Sequence, residues 1–269
     1  MRPPEELSAV AWSSFVHAHG RADDIPGLIK ALYSEDEDDA CQALDELCGS
    51  IVHQGTAFPA AEAAVPFLAH AAVHVPSSRD LLLMLLAETA GSGRLNGDAR
   101  AQVTAEMSCV LPFLRDPSHA VRRAAIRVAA ACPAAYPAVR EELLDLYEND
   151  QLAEIRADAL TALSLTGSDP DSSARREQLA LRSEIPSLRF AAAVLLLELH
   201  SPPRSPILLR TLTEGVKGRV WGWDELSFPF PGIGDIDERI DRIIQNDPVA
   251  AQLVADARRE DICSQAASS

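Results

Sequence analysis

Amphipathic segments separated by turn residues recur along most of the chain. In the segment that ends near residue 147, Val139, Leu143 and Leu146 are apolar and share one face at helical spacing. Alanine and leucine are abundant in these segments, whereas glycine and β-branched runs are scarce. This composition favours helices over strands, so the pattern predicts an all-α fold.

Three segments repeat the pattern aliphatic–Arg–x–x–Ala. The copies begin at Val121, Ile155 and Leu188, at spacings of 34 and 33 residues. Each copy opens a helix rich in alanine and leucine, and a turn and a further amphipathic helix precede it. A helix pair of this kind cannot bury its apolar faces alone, so successive pairs are expected to stack into an α-solenoid.

The arginine of each copy follows the turn between the two helices of its pair. These residues are Arg122, Arg156 and Arg189. A single binding site would not require an arginine at every repeat. A structural contact would, because each arginine can bind a carbonyl or an acid of the adjacent repeat and these groups recur with the same period. We therefore predict a structural role for all three.

One stretch of the repeat resembles a known signature. Asp116-Pro117 followed by Val121-Arg122-x-x-Ala125 is similar to the HEAT and short HEAT-like repeats of the phycobilisome-lyase type. Four N-terminal segments together resemble uncharacterised actinobacterial HEAT-repeat proteins; they span residues 17–20, 45–47, 53–56 and 64–68. The resemblance implies an all-α, right-handed α-solenoid of about five to six HEAT-like helix pairs, and it implies no catalytic residue.

Composition shifts divide the chain into four segments. Residues 1–22 are predicted to cap the N-terminal end, and residues 23–213 to form the repeat array. Residues 214–263 are expected to hold an aromatic loop and two closing helices, at 235–245 and 248–258. Residues 264–269 are predicted to be a disordered tail.

The net charge narrows the choice of partner. The chain has 24 basic and 40 acidic side chains, a formal charge of −16, and residues 1–114 hold 6 basic and 16 acidic groups. Such a field repels phosphate backbones, so nucleic acid is not an expected partner. A basic protein is the expected partner instead. The longest apolar run spans 8 residues, well below the roughly 20 that a membrane helix needs. With no apparent signal peptide and an odd number of cysteines, the expected location is cytoplasmic.

The first candidate site is His53-Gln54, and Gly55 and Thr56 follow it in the sequence. One interpretation is structural: a histidine in the last turn of a helix is favoured by the helix dipole, with Gly55 as the C′ residue. The other is functional: His53 and Gln54 project from the junction and bind a partner or ligand.

The second candidate site is the segment 221–230, which is rich in aromatic residues. Its candidate contacts are Trp221, Trp223, Asp224, Phe228 and Phe230. Aromatic side chains on a proline-stiffened loop are typical interface anchors. Alternatively, the rings fold back to cap the end of the repeat array. A mixture of the two arrangements is also consistent with the sequence.

These observations favour a non-catalytic protein-binding or scaffold module that neutralises or assembles a basic partner. No nucleophile elbow, phosphate loop, dinucleotide fingerprint or metal-ligand motif is present, so neither a cofactor nor a metal is expected. The alternative is a small-molecule enzyme or ligand binder with a pocket under the 221–230 loop, using His53, Asp224 or Glu225 for proton transfer. A third reading, a HEAT-like DNA glycosylase, is disfavoured by the acidity.

Overall fold

Helices form almost all of the secondary structure in the computed structural model, which describes residues 1–94, 98–167, 170–199, 204–223 and 235–266. The predicted all-α class is confirmed. Among the described helices, none combines the length and the apolar composition that a membrane crossing requires.

The chain divides into two compact units, Met1–Val139 and Arg140–Ser269. The division falls inside a helix, Tyr136–Asn149. The sequence analysis placed no boundary here, because the repeat pattern continues on both sides of it.

Unit 1 is built around one helix that is buried on nearly all sides. Its helices are α1 (Ile25–Ala31), α2 (Glu37–Ile51), α3 (Pro59–His74), α4 (Arg79–Gly91), α5 (Ala99–Ala105), α6 (Met107–Val110) and α7 (His119–Ala131), with α8 (Tyr136–Asn149) at the division. α4 packs against α3, α5 and α7. The run Leu82–Ala87 is buried throughout, as is typical of a central helix that is apolar all round.

Short strands connect helices in unit 1, although the hydrophobic pattern predicted none. They are β1 (Val16–His17), β2 (Gly20–Arg21), β3 (Val52–His53), β4 (Thr56–Ala57) and β5 (Gly93–Arg94). β1 and β2 form one antiparallel hairpin, and β3 and β4 form another. β5 pairs in parallel with β4. With two residues each, these strands are too short for an alternating pattern to reveal them.

Unit 2 is organised around its own buried helix. Its helices are α9 (Ala153–Thr166), α10 (Pro170–Ala180), α11 (Pro186–Leu199), α12 (Pro206–Gly218), α13 (Ile236–Ile244) and α14 (Pro248–Ala266). α11 packs against α9, α10, α12 and α13, and α12 packs against α14. The two closing helices predicted in this region are present. The predicted disordered tail is wrong for residues 264–266, which continue α14, and residues 267–269 lie outside the described residues.

The repeated pattern marks equivalent positions in three helices. Val121, Ile155 and Leu188 are each the third residue of their helix, in α7, α9 and α11. The alanines four residues later are completely buried in all three. A small side chain at this position leaves room for a neighbouring helix, which is the physical reason for the repeat.

Candidate functional site

The β1–β2 hairpin holds one histidine in a fixed orientation. His17 is buried, and the backbone N–H of His19 donates to its Nδ1 atom at 3.1 Å. Nδ1 is therefore the acceptor, and Nε2–H donates to Oδ1 of Asp24 at 3.0 Å. His17 thus stabilises the hairpin from inside, whereas His19 itself is exposed.

The β3–β4 hairpin places the predicted His53-Gln54 site in a tight turn. Gln54 and Gly55 are the central turn residues, with φ angles of 49° and 72°. Two successive residues with positive φ are typical of a type I′ turn, which matches the twist of a two-residue hairpin. The expectation that His53 occupies the last turn of a helix is therefore wrong. α2 ends at Ile51 because Val52 is extended, with φ −127° and ψ 119°.

The two hairpins lie side by side. The backbone N–H of Ala18 donates to the carbonyl oxygen of Ser50 at 2.9 Å, and the rings of His19 and His53 meet edge to face with centroids 5.9 Å apart. His19, His53 and Gln54 are all exposed. We call these three residues the hairpin edge.

The outer face of α2 leads directly into this edge and is acidic. Asp38, Asp39, Asp45 and Glu46 are exposed and lie opposite the buried stripe of the helix. We call these four carboxylates the acidic face. The sequence has no lysine or arginine between residues 31 and 78. In the described part of the chain, none of the four takes part in an ion pair. No ion pair within the described residues therefore neutralises the acidic face.

A second histidine pair lies on α3, where His70 is half-buried and His74 is exposed. The rings of His70 and His74 are stacked, with centroids 3.9 Å apart. The hydroxyl of Tyr33 lies 2.7 Å from Nδ1 of His70. Burial and the neighbouring His74 lower the pKa of His70, and burial together with the charge of Glu5 raises the pKa of Tyr33 to about 12. Across the residues that the structure describes, no group of three or more His, Cys, Asp or Glu side chains could hold a metal ion.

In unit 2, the first aromatic residue of the predicted loop is part of the core. Trp221 is only 4 % exposed, and its indole N–H donates to Oδ1 of the buried Asp158 at 3.0 Å. Its ring meets that of Phe190 edge to face. The expectation that Trp221 is an exposed interface anchor is therefore wrong. It packs inward, which is the alternative that the sequence left open.

Trp223 is half-buried and is held from three directions. Its ring stacks on Phe190 with centroids 5.5 Å apart, its N–H donates to Asp237 at 2.8 Å, and the guanidinium of Arg219 lies over it at 5.4 Å. Between the two tryptophans, Gly222 has a φ of 93°, and a Cβ there would lie 2.9 Å from Ile236. The other candidates of this segment, Asp224, Glu225, Phe228 and Phe230, lie outside the described residues.

A small open pocket of about 110 Å³ lies beside this aromatic cluster. Three lining residues come from the first two turns of α11, three come from α12, and one follows α12. They are Pro186, Arg189 and Phe190, then Thr211, Glu214 and Gly215, and finally Val220. The pocket combines an aromatic surface with one basic, one acidic and one hydroxyl side chain.

The three arginines of the repeat all donate to backbone carbonyls that precede their own helices. Arg122 donates to the carbonyl oxygens of Asp116 and Pro117 at 2.8 and 3.1 Å. Arg156 donates to Tyr147 at 2.9 Å, and Arg189 to Ser183 at 2.9 Å. These carbonyls lie at the end of the preceding helix or in the turn after it, where helical partners are missing.

Comparisons with known proteins assign neither a family nor a function to this chain. No family model and no curated protein sequence matches the chain. Among solved structures, a crystal structure of an engineered protein matches over 90 % of this chain and 97 % of that one. The two share 17 % of their residues, with a TM-score of 0.40. This similarity is too weak to assign a family or a function.

The sequence analysis did not link His19 to His53, although the structure brings them together. A signal was available: the dipeptide Val-His begins both hairpins, at Val16-His17 and Val52-His53. The 48-residue absence of lysine and arginine between residues 31 and 78 was a second signal, and it marks the helix that carries the acidic face.

Proposed function

We propose that this chain is a non-catalytic protein-binding module that uses unit 1 to bind a basic protein partner. The hairpin edge and the acidic face would form the contact surface. We further propose that the helix pairs are HEAT-like repeats stacked as a solenoid, and that the protein acts in the cytoplasm as a scaffold or as a neutraliser of its partner.

The acidic face is the observation that carries this proposal. Four exposed carboxylates on one helix face create a local negative field, which attracts cationic groups. None of the four carboxylates is ion-paired among the residues that the structure describes, so the face is available to a basic partner that supplies the cations. Charge complementarity of this kind accelerates association and selects the partner more than it strengthens the final complex.

The hairpin edge adds shape and hydrogen bonding to the charge. Its backbone is fixed by the type I′ turn, and the side chains of His53 and Gln54 offer both donors and acceptors. A rigid, exposed turn loses little entropy on binding. The edge would therefore supply specificity beside a face that supplies attraction.

The test compares two charge-matched variants as affinity baits in a lysate of the native host. The first, Asp45→Lys/Glu46→Lys, reverses two charges of the acidic face. The control, Glu141→Lys/Glu148→Lys, makes the same change on an exposed part of α8. We expect both the wild type and the control to retain the same basic proteins, and the acidic-face variant to lose them.

Salt provides the second criterion. Because the Debye length falls from about 30 Å at 0.01 M salt to about 10 Å at 0.1 M, retention by the wild type should weaken as salt rises. Equal loss in both variants would show that only net charge matters. Retention by the acidic-face variant, or a flat salt profile, would refute the proposal.

A further inference from the structure

Two exposed arginines and an exposed leucine follow one another along the outer side of α10. Arg175 and Leu179 lie four residues apart on the helix, and Arg182 lies in the turn directly after it. Leu179 is 67 % exposed, the largest exposed fraction of any large apolar side chain in the described part of the chain. Neither arginine takes part in an ion pair within the same residues. We call these three residues the basic stripe.

The basic stripe has the chemistry of a contact surface for an acidic helix. Residues three and four positions apart on a helix are neighbours, so the three side chains share one face. Guanidinium groups bind carboxylates through paired hydrogen bonds, and an exposed leucine gains free energy when a partner removes it from water. A suitable partner therefore presents two carboxylates with a small apolar side chain between them.

The acidic face of α2 presents these groups in a matching order. Between Asp38 and Asp45 lies the thiol of Cys41, which is exposed and behaves as a small apolar group. The intervals along α2 are three and then four residues, whereas those of the basic stripe are four and then three. Antiparallel helices therefore place three pairs of residues opposite each other: Arg175 and Asp45, Leu179 and Cys41, and Arg182 and Asp38.

The opposite orientation fits less well. Parallel helices would also pair the charges, but they would place Leu179 opposite Gln42. The amide of Gln42 donates to Glu46 at 2.9 Å and is exposed. Covering this amide with a leucine would remove water from a polar group without replacing its hydrogen bonds. The apolar position thus favours the antiparallel arrangement.

We propose that the basic stripe of one copy binds the acidic face of a second copy, with α10 and α2 antiparallel. This inference rests on the proposed role of the acidic face as a binding surface, and it names the partner. The partner needs to be basic only at the contact, so a chain with a net charge of −16 can serve. Each copy presents both surfaces, and a heterologous contact of this kind joins copies head to tail.

Light scattering of the intact chain tests the association through its weight-average mass, from roughly 10 µM to 1 mM protein. At about 0.1 M salt the Debye length is about 10 Å, so repulsion between whole molecules is screened more strongly than attraction between charges in contact. We expect the mass to rise about twofold by roughly 1 mM protein, which corresponds to a Kd of about 1 mM. It should fall again near 1 M salt, where the Debye length is about 3 Å.

Two reversed variants assign the association to the two surfaces. Arg175→Glu/Arg182→Glu reverses the basic stripe, and Asp45→Lys/Glu46→Lys reverses half of the acidic face. Each protein alone should keep the mass of one chain. An equimolar mixture should associate, because each variant keeps the surface that the other has lost. The α2 variant carries less net negative charge than the wild type, so general repulsion would not explain its loss of association.

A matched control and a cross-link complete the experiment. Arg140→Glu/Arg210→Glu changes two exposed arginines of α8 and α12 and should associate as the wild type does. In Leu179→Cys, oxidised glutathione should link the introduced cysteine to Cys41 of a second copy, and the covalent dimer is visible on a non-reducing gel. The same protein with Cys41→Ser should give no such dimer.

The outcomes separate this inference from the proposed function. A wild type that keeps the mass of one chain, a reversed stripe that associates as the wild type does, or a mixture that stays monomeric would overturn the inference. The proposed function would then still stand if the acidic-face variant alone loses its basic proteins in the lysate. Absence of a cross-link through Cys41 would overturn the antiparallel contact.

Discussion

Replacing Gly215 by alanine should destabilise unit 2, although the same change elsewhere in a helix is stabilising. An added Cβ would lie 2.1 Å from Cδ2, 2.5 Å from Cγ and 2.7 Å from Cε2 of Phe190. Carbon atoms in contact normally keep a separation of about 3.5–4.0 Å. The ring must therefore move by roughly 1.5 Å, and both Trp221 and Trp223 stand against it.

The magnitude follows from two opposing contributions. Overpacking of a core costs about 1–3 kcal/mol, and three overlapping ring atoms place this site at the upper end. Alanine in a helix interior is favoured over glycine by about 1 kcal/mol. The net loss is therefore about 2 kcal/mol, which corresponds to a fall in Tm of roughly 4–8 °C for a domain of 150–250 residues.

Gly49→Ala is the matched control. Gly49 lies inside α2, and a Cβ there would meet no atom within 4 Å. Only the helix-propensity gain remains, so this variant should be more stable than the wild type by about 0.5–1 kcal/mol. The two substitutions are chemically identical, and the structure predicts opposite signs for them.

Thermal and urea unfolding measure both variants, with circular dichroism reporting all helices. A double variant with Phe190→Leu identifies the cause. If Phe190 is the obstacle, Gly215→Ala should cost less in the Phe190→Leu background than in the wild type. Stability of Gly215→Ala equal to or above that of the wild type would refute the packing argument. Equal costs in the two backgrounds would assign the loss to another contact.

Two further predictions concern single side chains. Arg156→Ala removes the hydrogen bond to the carbonyl oxygen of Tyr147, so it should lower the free energy of unfolding by about 1–2 kcal/mol and leave partner capture unchanged. Arg182→Ala changes an exposed arginine and should lower it much less. Loss of capture by a fully stable Arg156→Ala protein would contradict the structural role of Arg156. In a Cys263→Ser background, iodoacetamide at pH 8 should alkylate the exposed Cys41 before Cys48, because burial and nearby carboxylates raise the pKa of the Cys48 thiol to about 12. Comparable labelling of the two thiols, measured by peptide mass spectrometry, would show that α2 opens locally.

The helical fold follows from local features of the sequence. Amphipathic periodicity, abundant alanine and leucine, and a recurring aliphatic–Arg–x–x–Ala pattern determine where helices form, because helix formation depends on neighbours three and four residues away. The pattern even places Val121, Ile155 and Leu188 at the same position of α7, α9 and α11. The closing helices α13 and α14 were predicted for the same reason.

The candidate sites depended on contacts between residues that are far apart in the chain. The type I′ turn at Gln54-Gly55 joins β3 to β4, and β4 also pairs with β5, whose residues lie 37 positions further along the chain and which no local pattern reveals. His19 joins His53 only because two hairpins share the hydrogen bond from Ala18 to Ser50.

The aromatic segment shows the same limit of local information. Composition identified Trp221 and Trp223 as unusual, but it did not determine whether their rings face solvent or the core. Asp158, 63 residues earlier, supplies the acceptor that makes burial of the Trp221 indole favourable. Sequence by itself determined the helices and their repeat, since these depend on local spacing. Tertiary structure decided which polar groups are buried, paired or left exposed, since each of those outcomes requires a partner that folding brings near.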